Sequence, residues 1–259
     1  RSVGLGLMGF HSFLQKQGVS MESAMAKVWN NKIFKHIRTQ LDIANEKLAL
    51  ERGACPDAAE FGVMKRCAHV MAVAPNASSS IIMGNTSPSI EPFAQNAYRQ
   101  DTTSGAYLNK NRILEKLLKA EAATKKDPED WLDEQWSSII ARDGSVQHLE
   151  WMDEYTKEVY KTFVEIDQRW VIEHSADRQE WVDQAISTNV KFPPTVNIKY
   201  LHFVHFQAWK LGLKSLYYCR SDKLKKAGTV GISKERQKIE EEIDLKSFVE
   251  EGSSCLACE

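Results

Sequence analysis

The sequence predicts an α/β fold, rich in helix and ending in a flexible polar tail, and three observations carry that reading. Apolar residues recur at helical spacing over long stretches, an apolar run ending in a proline marks a buried strand near residue 70, and apolar material thins out after Arg220. From the amino end, Gly4 to Phe10 is apolar and punctuated by glycine. It would be awkward as an exposed terminus, so further chain is expected before Arg1. Met21, Met25, Val28, Ile33, Ile37, Leu41, Ala44 and Leu48 then follow helical spacing, with Ser20 placed as an N-cap and Gly53 as a stop. Cys55-Pro56 opens a loop, and Val70 to Val73 reads as a buried strand that ends before Pro75.

Pro75-Asn76-Ala77-Ser78-Ser79-Ser80 is then a turn into a helix start, and residues 82–111, rich in glycine, proline, serine and threonine, read as turns and loops with short strands. Asp127-Pro128-Glu129 supplies a cap, a first-turn proline and an early acid ahead of Trp131, Leu132, Trp136, Ile139 and Ile140. Helical patterning is read again from about Leu149 to Val164 and from Arg178 to Ile186, until Phe192-Pro193-Pro194 interrupts it. Val196 to Leu211 is apolar nearly all round, which predicts a helix buried on most sides. It stops at Gly212, and Lys214 to Tyr218 reads as a short strand. The expected division is a folded part over 1–219 and a mobile tail over 220–259.

Composition excludes some classes of function. A formal net charge of −1 gives no bulk attraction to nucleic acid or to a membrane surface. No apolar stretch approaches the roughly 18 residues of a membrane span, and the start lacks the pattern of a secretory signal, so the cytoplasm is expected. Five cysteines, three of them scattered at Cys55, Cys67 and Cys219, do not suggest a disulfide framework.

Three segments carry chemistry. The first amides of a helix at Ala77 to Ser79 lack intrahelical acceptors and sit at the positive end of the dipole, so residues 75–80 either receive an anion or simply cap a helix. Hydroxyls at Ser78, Ser79 and Ser80 would add donors, while neither a P-loop nor a dinucleotide fingerprint is present. Tyr217 and Tyr218 are adjacent phenols; in an ideal strand they would face opposite ways, one into the core and one out, and to stack they need a strand end or an irregularity. Cys255 and Cys258 form a CxxC one residue from the carboxyl end, suited to thiol exchange from a mobile tether or to half of a zinc site, though no second CxxC exists to complete one. His202 and His205 lie about one helical turn apart and are read as buried, hydrogen-bonded side chains rather than metal ligands.

In their order along the chain, Arg1 to Phe10, Glu51-Arg-Gly-Ala-Cys-Pro56, Pro75 to Ser80, Asn85-Thr-Ser-Pro-Ser-Ile-Glu-Pro92, Lys214 to Tyr218 and the terminal cysteine pair resemble the carboxyl-terminal part of the large (alpha) subunit of class I ribonucleotide reductase. The resemblance implies a share of a ten-stranded α/β barrel in which Pro75, Asn76, Ala77, Ser78 and Ser79 hold a substrate diphosphate. It implies that Tyr217 and Tyr218 pass an oxidising equivalent inward from a metal-containing, radical-bearing small subunit, so that this chain needs no cofactor of its own. Cys255 and Cys258 then look like the tail cysteines that reduce the active-site disulfide and are recharged by thioredoxin or glutaredoxin. Nothing here matches the family's thiyl-forming cysteine or its active-site disulfide, so an amino-terminal complement is expected as a partner and the isolated chain is expected to be inactive. A reading from a different class is a helical, non-catalytic interaction protein with a zinc-binding or redox-sensing tail.

Overall fold

The computed structural model describes residues 1–102 and 105–221. Cys255 and Cys258, with most of the expected tail, lie outside the described residues. Strand β1 (Ser2–Leu5) pairs in parallel with β2 (His69–Met71), setting Ser2 opposite His69 and Leu5 opposite Met71. Beyond β2 the chain runs to Val73, which bridges Ile186 in parallel; Val73 N donates to the Ala185 carbonyl and Ser187 N to that of Val73. The same segment continues into β5 (Val190–Phe192), paired in parallel with β6 (Cys219–Ser221). The result is an open strip of parallel segments in chain order, each reached from the last through helices, as parallel pairing requires. Among the described residues it does not close on itself, and every residue of β1 is exposed.

The first crossover holds α1 (Phe10–Lys16), α2 (Ala24–Arg52) and α3 (Pro56–Glu60). The cap of α2 is Ser23, whose hydroxyl accepts the Ala26 N–H at 3.2 Å, and not Ser20, whose hydroxyl accepts the Glu22 N–H at 3.1 Å. Gly53, at φ +78°, ends the helix as expected. The expected face is met in part: Ile33, Ile37 and Leu41 pack half-buried against the core, but the fully buried residues are Ala26, Asn30, Phe34, Asn45 and Ala49, and Met25, Val28, Ala44 and Leu48 are exposed. Polar Asn30 and Asn45 hide this face from a hydrophobicity pattern, yet both are satisfied. Asn30 donates to the His174 carbonyl at 2.9 Å, and Asn45 exchanges two hydrogen bonds with the backbone of Cys67 at 3.0 and 2.7 Å. The loop expected from Cys55-Pro56 is instead the single turn of α3, started by proline at its first position.

Between β2 and β5 come α4 (Ala77–Ile82), the antiparallel hairpin of β3 (Ala97–Thr102) and β4 (Gly105–Lys110), then α5 (Arg112–Ala122), α6 (Pro128–Ala141), α7 (Glu154–Val159) and α8 (Gln168–Gln179). Helix α6 begins at the expected proline and buries Trp136 and Ile139 against Leu114 and Leu118 of α5. The helix read from Leu149 to Val164 reduces to the six residues of α7, because the chain before it forms successive turns and Asp153 caps Thr156 N. The helix read from Arg178 to Ile186 is α8, lying further toward the amino end; its buried residues include Gln168, His174, Ser175 and Arg178, so it carries little apolar signal.

Helix α9 (Ile198–Lys210) connects β5 to β6. It is not buried on most sides: Val204 and Ala208 pack inward, whereas Ile198 is 79% and Trp209 74% exposed, with Phe206 and His202 on the same outer face. A core of Phe34, Val70, Met71, Val73, Ile90, Val182 and Ile186 underlies the strip, and full burial of a side chain such as Phe34 contributes roughly 1.5–3 kcal/mol. Two histidines are also fully enclosed. His11 accepts the Phe93 N–H at 3.0 Å and burial lowers its pKa to about 4, while His174 bonds to the Met21 carbonyl at 2.8 Å and burial lowers its pKa to about 3.

Candidate functional site

The phenol pair is reached from the end of α9. Gly212 takes φ +71°, and the chain turns back so that Leu213 N donates to the Ala208 carbonyl at 3.0 Å. Gln179 then grips both sides of the turn, donating to the Gly212 carbonyl at 2.7 Å and accepting from Lys214 N at 2.7 Å. The Lys214 ammonium spans three successive carbonyls, those of Val182, Asp183 and Gln184, at 3.2, 2.9 and 3.1 Å. Tyr217 N donates to the Thr188 carbonyl at 2.8 Å, and Thr188 is itself anchored to Ser175 of α8 through their hydroxyls at 2.6 Å.

Tyr218 N departs from the ladder. It donates to a side chain, the Asn189 Oδ1, at 3.0 Å, while the Tyr218 carbonyl accepts from Val190 N at 2.9 Å. Regular pairing begins only at Cys219 opposite Val190, so the strand expected over Lys214 to Tyr218 lies just beyond the tyrosines, in β6. That irregularity lets neighbouring side chains share a face. The two rings lie 4.1 Å apart between centroids at an interplanar angle of 53°, with the residues 51% and 47% exposed. A hydrogen bond to Tyr218, and then the neighbour's charge, hold the Tyr217 phenol above its ordinary pKa. The Arg220 guanidinium lies 5.0 Å from the centre of the Tyr218 ring.

Below the pair, Asn189 donates through Nδ2 to Glu91, and burial pushes the Glu91 carboxyl up to about 7, partly offset by that hydrogen bond and by Arg220. Sequence reasoning placed Glu91 inside a motif without a role and passed over Thr188 and Asn189 altogether. No local signal marks either, because their importance comes from pairing with residues far along the chain.

The expected anion turn begins where the strip ends. After Val73 the chain passes Pro75 to Asn76, which adopts the left-handed conformation at φ 54°, and α4 starts at Ala77. The Asn76 side chain makes no cap, so the amides of Ala77, Ser78 and Ser79 point outward from the helix start. Ser78 and Ser79 are exposed. Ser80 differs from expectation: it is buried, and its hydroxyl donates to the Ala77 carbonyl at 2.7 Å, so it is not a free donor. The turn and the phenol pair belong to one strip, since Val73 bridges Ile186 and the next residues of that segment, Thr188 and Asn189, receive the tyrosine amides.

The histidines of α9 do not form a site together. His205 bonds through Nδ1 to the Leu201 carbonyl at 2.7 Å and stacks on Phe192, while His202 is exposed beside Phe206. Among the described residues no group of three or more histidine, cysteine or acidic side chains is placed to hold a metal ion, and no helix is long and apolar enough to cross a membrane.

The family described as "Ribonucleotide reductase, barrel domain" matches residues 1–61 and 57–219. The chain is 48% identical over 232 residues to the ribonucleoside-diphosphate reductase large subunit of Invertebrate iridescent virus 6, covering 89% of this chain and 24% of that protein. It is 38% identical over 259 residues to the putative large subunit of Frog virus 3, covering 100% of this chain and 42% of that one. Among solved structures, the class Id ribonucleotide reductase alpha subunit of Actinobacillus ureae superposes with a TM-score of 0.75 at 38% identity, over 86% of this chain and 39% of that chain. The chain thus spans between about a quarter and two fifths of the length of these relatives.

Proposed function

Since the chain belongs to the ribonucleotide reductase large-subunit family, within its barrel domain, we propose that it works as the carboxyl-terminal part of a ribonucleoside-diphosphate reductase. The reaction replaces the 2′-hydroxyl of a ribonucleoside diphosphate by hydrogen, releasing water while two thiols become a disulfide. Pro75, Asn76, Ala77, Ser78 and Ser79 receive the diphosphate, whose charge suits the unpaired amides and the dipole of α4. Tyr217 and Tyr218 relay the oxidising equivalent delivered by a metal-containing small subunit. A phenoxyl on one residue takes an electron and a proton from the neighbouring phenol and leaves the radical there. Cys255 and Cys258, in the tail 220–259, return the active-site disulfide to thiols and receive electrons from thioredoxin or glutaredoxin. The amino-terminal part of the large subunit supplies the remaining catalytic groups.

The phenol pair is the observation that carries this reading. Two adjacent rings 4.1 Å apart at an exposed strand end support short-range transfer and access by an outside oxidant, and positional control of that kind is where catalysis by proximity gains most. In the assembly completed with the amino-terminal part and the small subunit, Tyr217→Phe and Tyr218→Phe should each stop turnover while diphosphate binding persists. Turnover unchanged in both variants would remove the radical role. Replacing Cys255 and Cys258 by Ser should abolish turnover driven by thioredoxin while a small dithiol still supports it, and equal loss with both reductants would argue against a shuttle.

A further inference from the structure

None of these roles accounts for the pair of side chains beneath Tyr218. Asn189 is buried, its Oδ1 accepts the Tyr218 N–H at 3.0 Å, and its Nδ2 donates to Glu91, 98 residues away in sequence. We propose that Glu91 is a positioning residue for the tyrosine pair: its carboxylate fixes which way round the Asn189 amide points, and through that amide it fixes the backbone of Tyr218. The inference rests on the radical-transfer reading of Tyr217 and Tyr218.

The argument is one of donors and acceptors. An ionised carboxylate only accepts, so it takes the NH₂ end of Asn189 and leaves the oxygen end for Tyr218 N–H. A protonated carboxyl donates as well, so it is satisfied by either end. A turned amide would then set its NH₂ group against the Tyr218 N–H, donor against donor, and that bond would be lost. Tyr217 has no such weakness, because its N–H goes to a backbone carbonyl, that of Thr188, which cannot turn over. One ring of the couple is therefore held by a fixed acceptor and the other by a switchable one. The charged group acting on Glu91 among the described residues is Arg220, whose guanidinium also lies over the Tyr218 ring. Burial outweighs it and places the titration of Glu91 at about 7. The Asn189 amide is thus held to one orientation above neutrality, and below it that exclusion of the turned amide, and with it the hold on the Tyr218 N–H, is weaker.

The test uses the full chain labelled with ¹⁵N-tyrosine, following each tyrosine amide across neutral pH by NMR and hydrogen exchange. In the unsubstituted chain the Tyr218 amide shift should titrate with a midpoint of about 7 and its protection, taken relative to the intrinsic exchange rate at each pH, should fall several-fold on the acid side, while the protection of the Tyr217 amide stays constant. Glu91→Gln, which offers both a donor and an acceptor, should hold the Tyr218 amide at the lower, acid-side protection at every pH and remove its titration. Asn189→Ala should do the same, with the buried Tyr160 amide unchanged as the control for folding. A Tyr218 amide that does not titrate in the unsubstituted chain overturns the proposal even if both variants fail to fold. Turnover in the completed assembly separates this proposal from the reading beneath it. If Tyr218→Phe leaves turnover intact, the radical reading fails whatever the amide does. If Tyr218→Phe stops turnover but Glu91→Gln keeps the pH–rate profile of the unsubstituted protein, the clamp alone is wrong.

Discussion

Residues 212–221 are tied to the 179–192 segment by two bonds to Gln179, three carbonyls around the Lys214 ammonium, the tyrosine amides and the β5–β6 ladder. Residues 75–79 are the opposite: the first amides of α4 have no acceptor among the described residues, and Ser78 and Ser79 face outward. The two segments sit on one strip, so the difference does not come from location, and it suits the two tasks proposed for them. Transfer between two phenols depends on a fixed separation, which favours saturating every nearby polar group. Binding an anion depends on donors that remain free until it arrives. A saturated segment and an unsaturated one should respond differently to perturbation, and that contrast is where the comparison can be broken.

The largest effect should come from acid, which acts on both segments through the histidines beneath them. His174 lies in α8 next to Ser175, the anchor of Thr188, and His11 in α1 holds the loop that follows the anion turn. Each is neutral when folded, with its pKa lowered from 6.5 to about 3 and about 4 respectively, whereas the unfolded histidine titrates near 6.5. A depressed base contributes stability that is present above 6.5 and lost as pH falls below it toward the folded values, at about 1.4 kcal/mol per pH unit for each group. Glu91 acts in the opposite sense: its raised pKa contributes stability below 4.5 that is lost as pH rises to about 7. Glu22, whose carboxyl burial also raises, acts with Glu91, whereas the lowered carboxyls of Asp167 and Asp183 act with the two histidines, which leaves the acid side the weaker. The melting temperature should therefore drop from pH 6.5 toward pH 4, and His174→Gln, which keeps a donor for the Met21 carbonyl without titrating, should make that drop shallower, with His11 accounting for what remains. A flat profile in the unsubstituted chain would show that these histidines are not neutral by burial.

Smaller, and confined to the saturated segment, is the effect of Lys214. Lys214→Met keeps the aliphatic stem but frees the carbonyls of Val182, Asp183 and Gln184. A cost of roughly 1–2 kcal/mol is expected, since these carbonyls regain water in part. Amide exchange at Tyr217 and Tyr218 should accelerate while that of α4 does not. Equal acceleration in α4 would mean that the two segments are not held independently.

The same contrast decides what was legible in the sequence. Helix α6 was readable because Asp127-Pro128 marks its start and Trp136 and Ile139 fall on one face, and α4 because a strand end and a turn precede it. Helix α8 was misplaced because His174, Ser175, Gln168 and Arg178 are buried polar residues with partners elsewhere in the chain, and hydropathy scores such residues as surface. Helix α5, with Asn111 capping Ile113 and Leu114, carried a usable signal that the glycine- and proline-rich stretch before it obscured. Outer-facing Ile198, Phe206 and Trp209 made α9 look more enclosed than it is. Tyr217 and Tyr218 could be picked out as residues, and the need for an irregular strand end followed from alternation alone. Asn189 and Glu91 could not, since nothing within either one's own neighbourhood anticipates a contact across 98 positions.

The smallest effect separates three consecutive serines. Ser78 and Ser79 are exposed at the start of α4, whereas the Ser80 hydroxyl is already committed to the Ala77 carbonyl. Removing a hydroxyl that bonds an anion costs about 1 kcal/mol, or several-fold in affinity, and hydrogen bonds to charged groups lie at the upper end of that range. Ser78→Ala or Ser79→Ala should therefore weaken binding of inorganic pyrophosphate several-fold, as read by calorimetry, with little change in melting temperature. Ser80→Ala should do the reverse, lowering the melting temperature slightly while leaving affinity alone, because its hydroxyl serves the turn and never reaches the ligand. If all three weaken binding equally, the hydroxyls act only through the shape of the turn, and the amides of Ala77, Ser78 and Ser79 carry the anion alone.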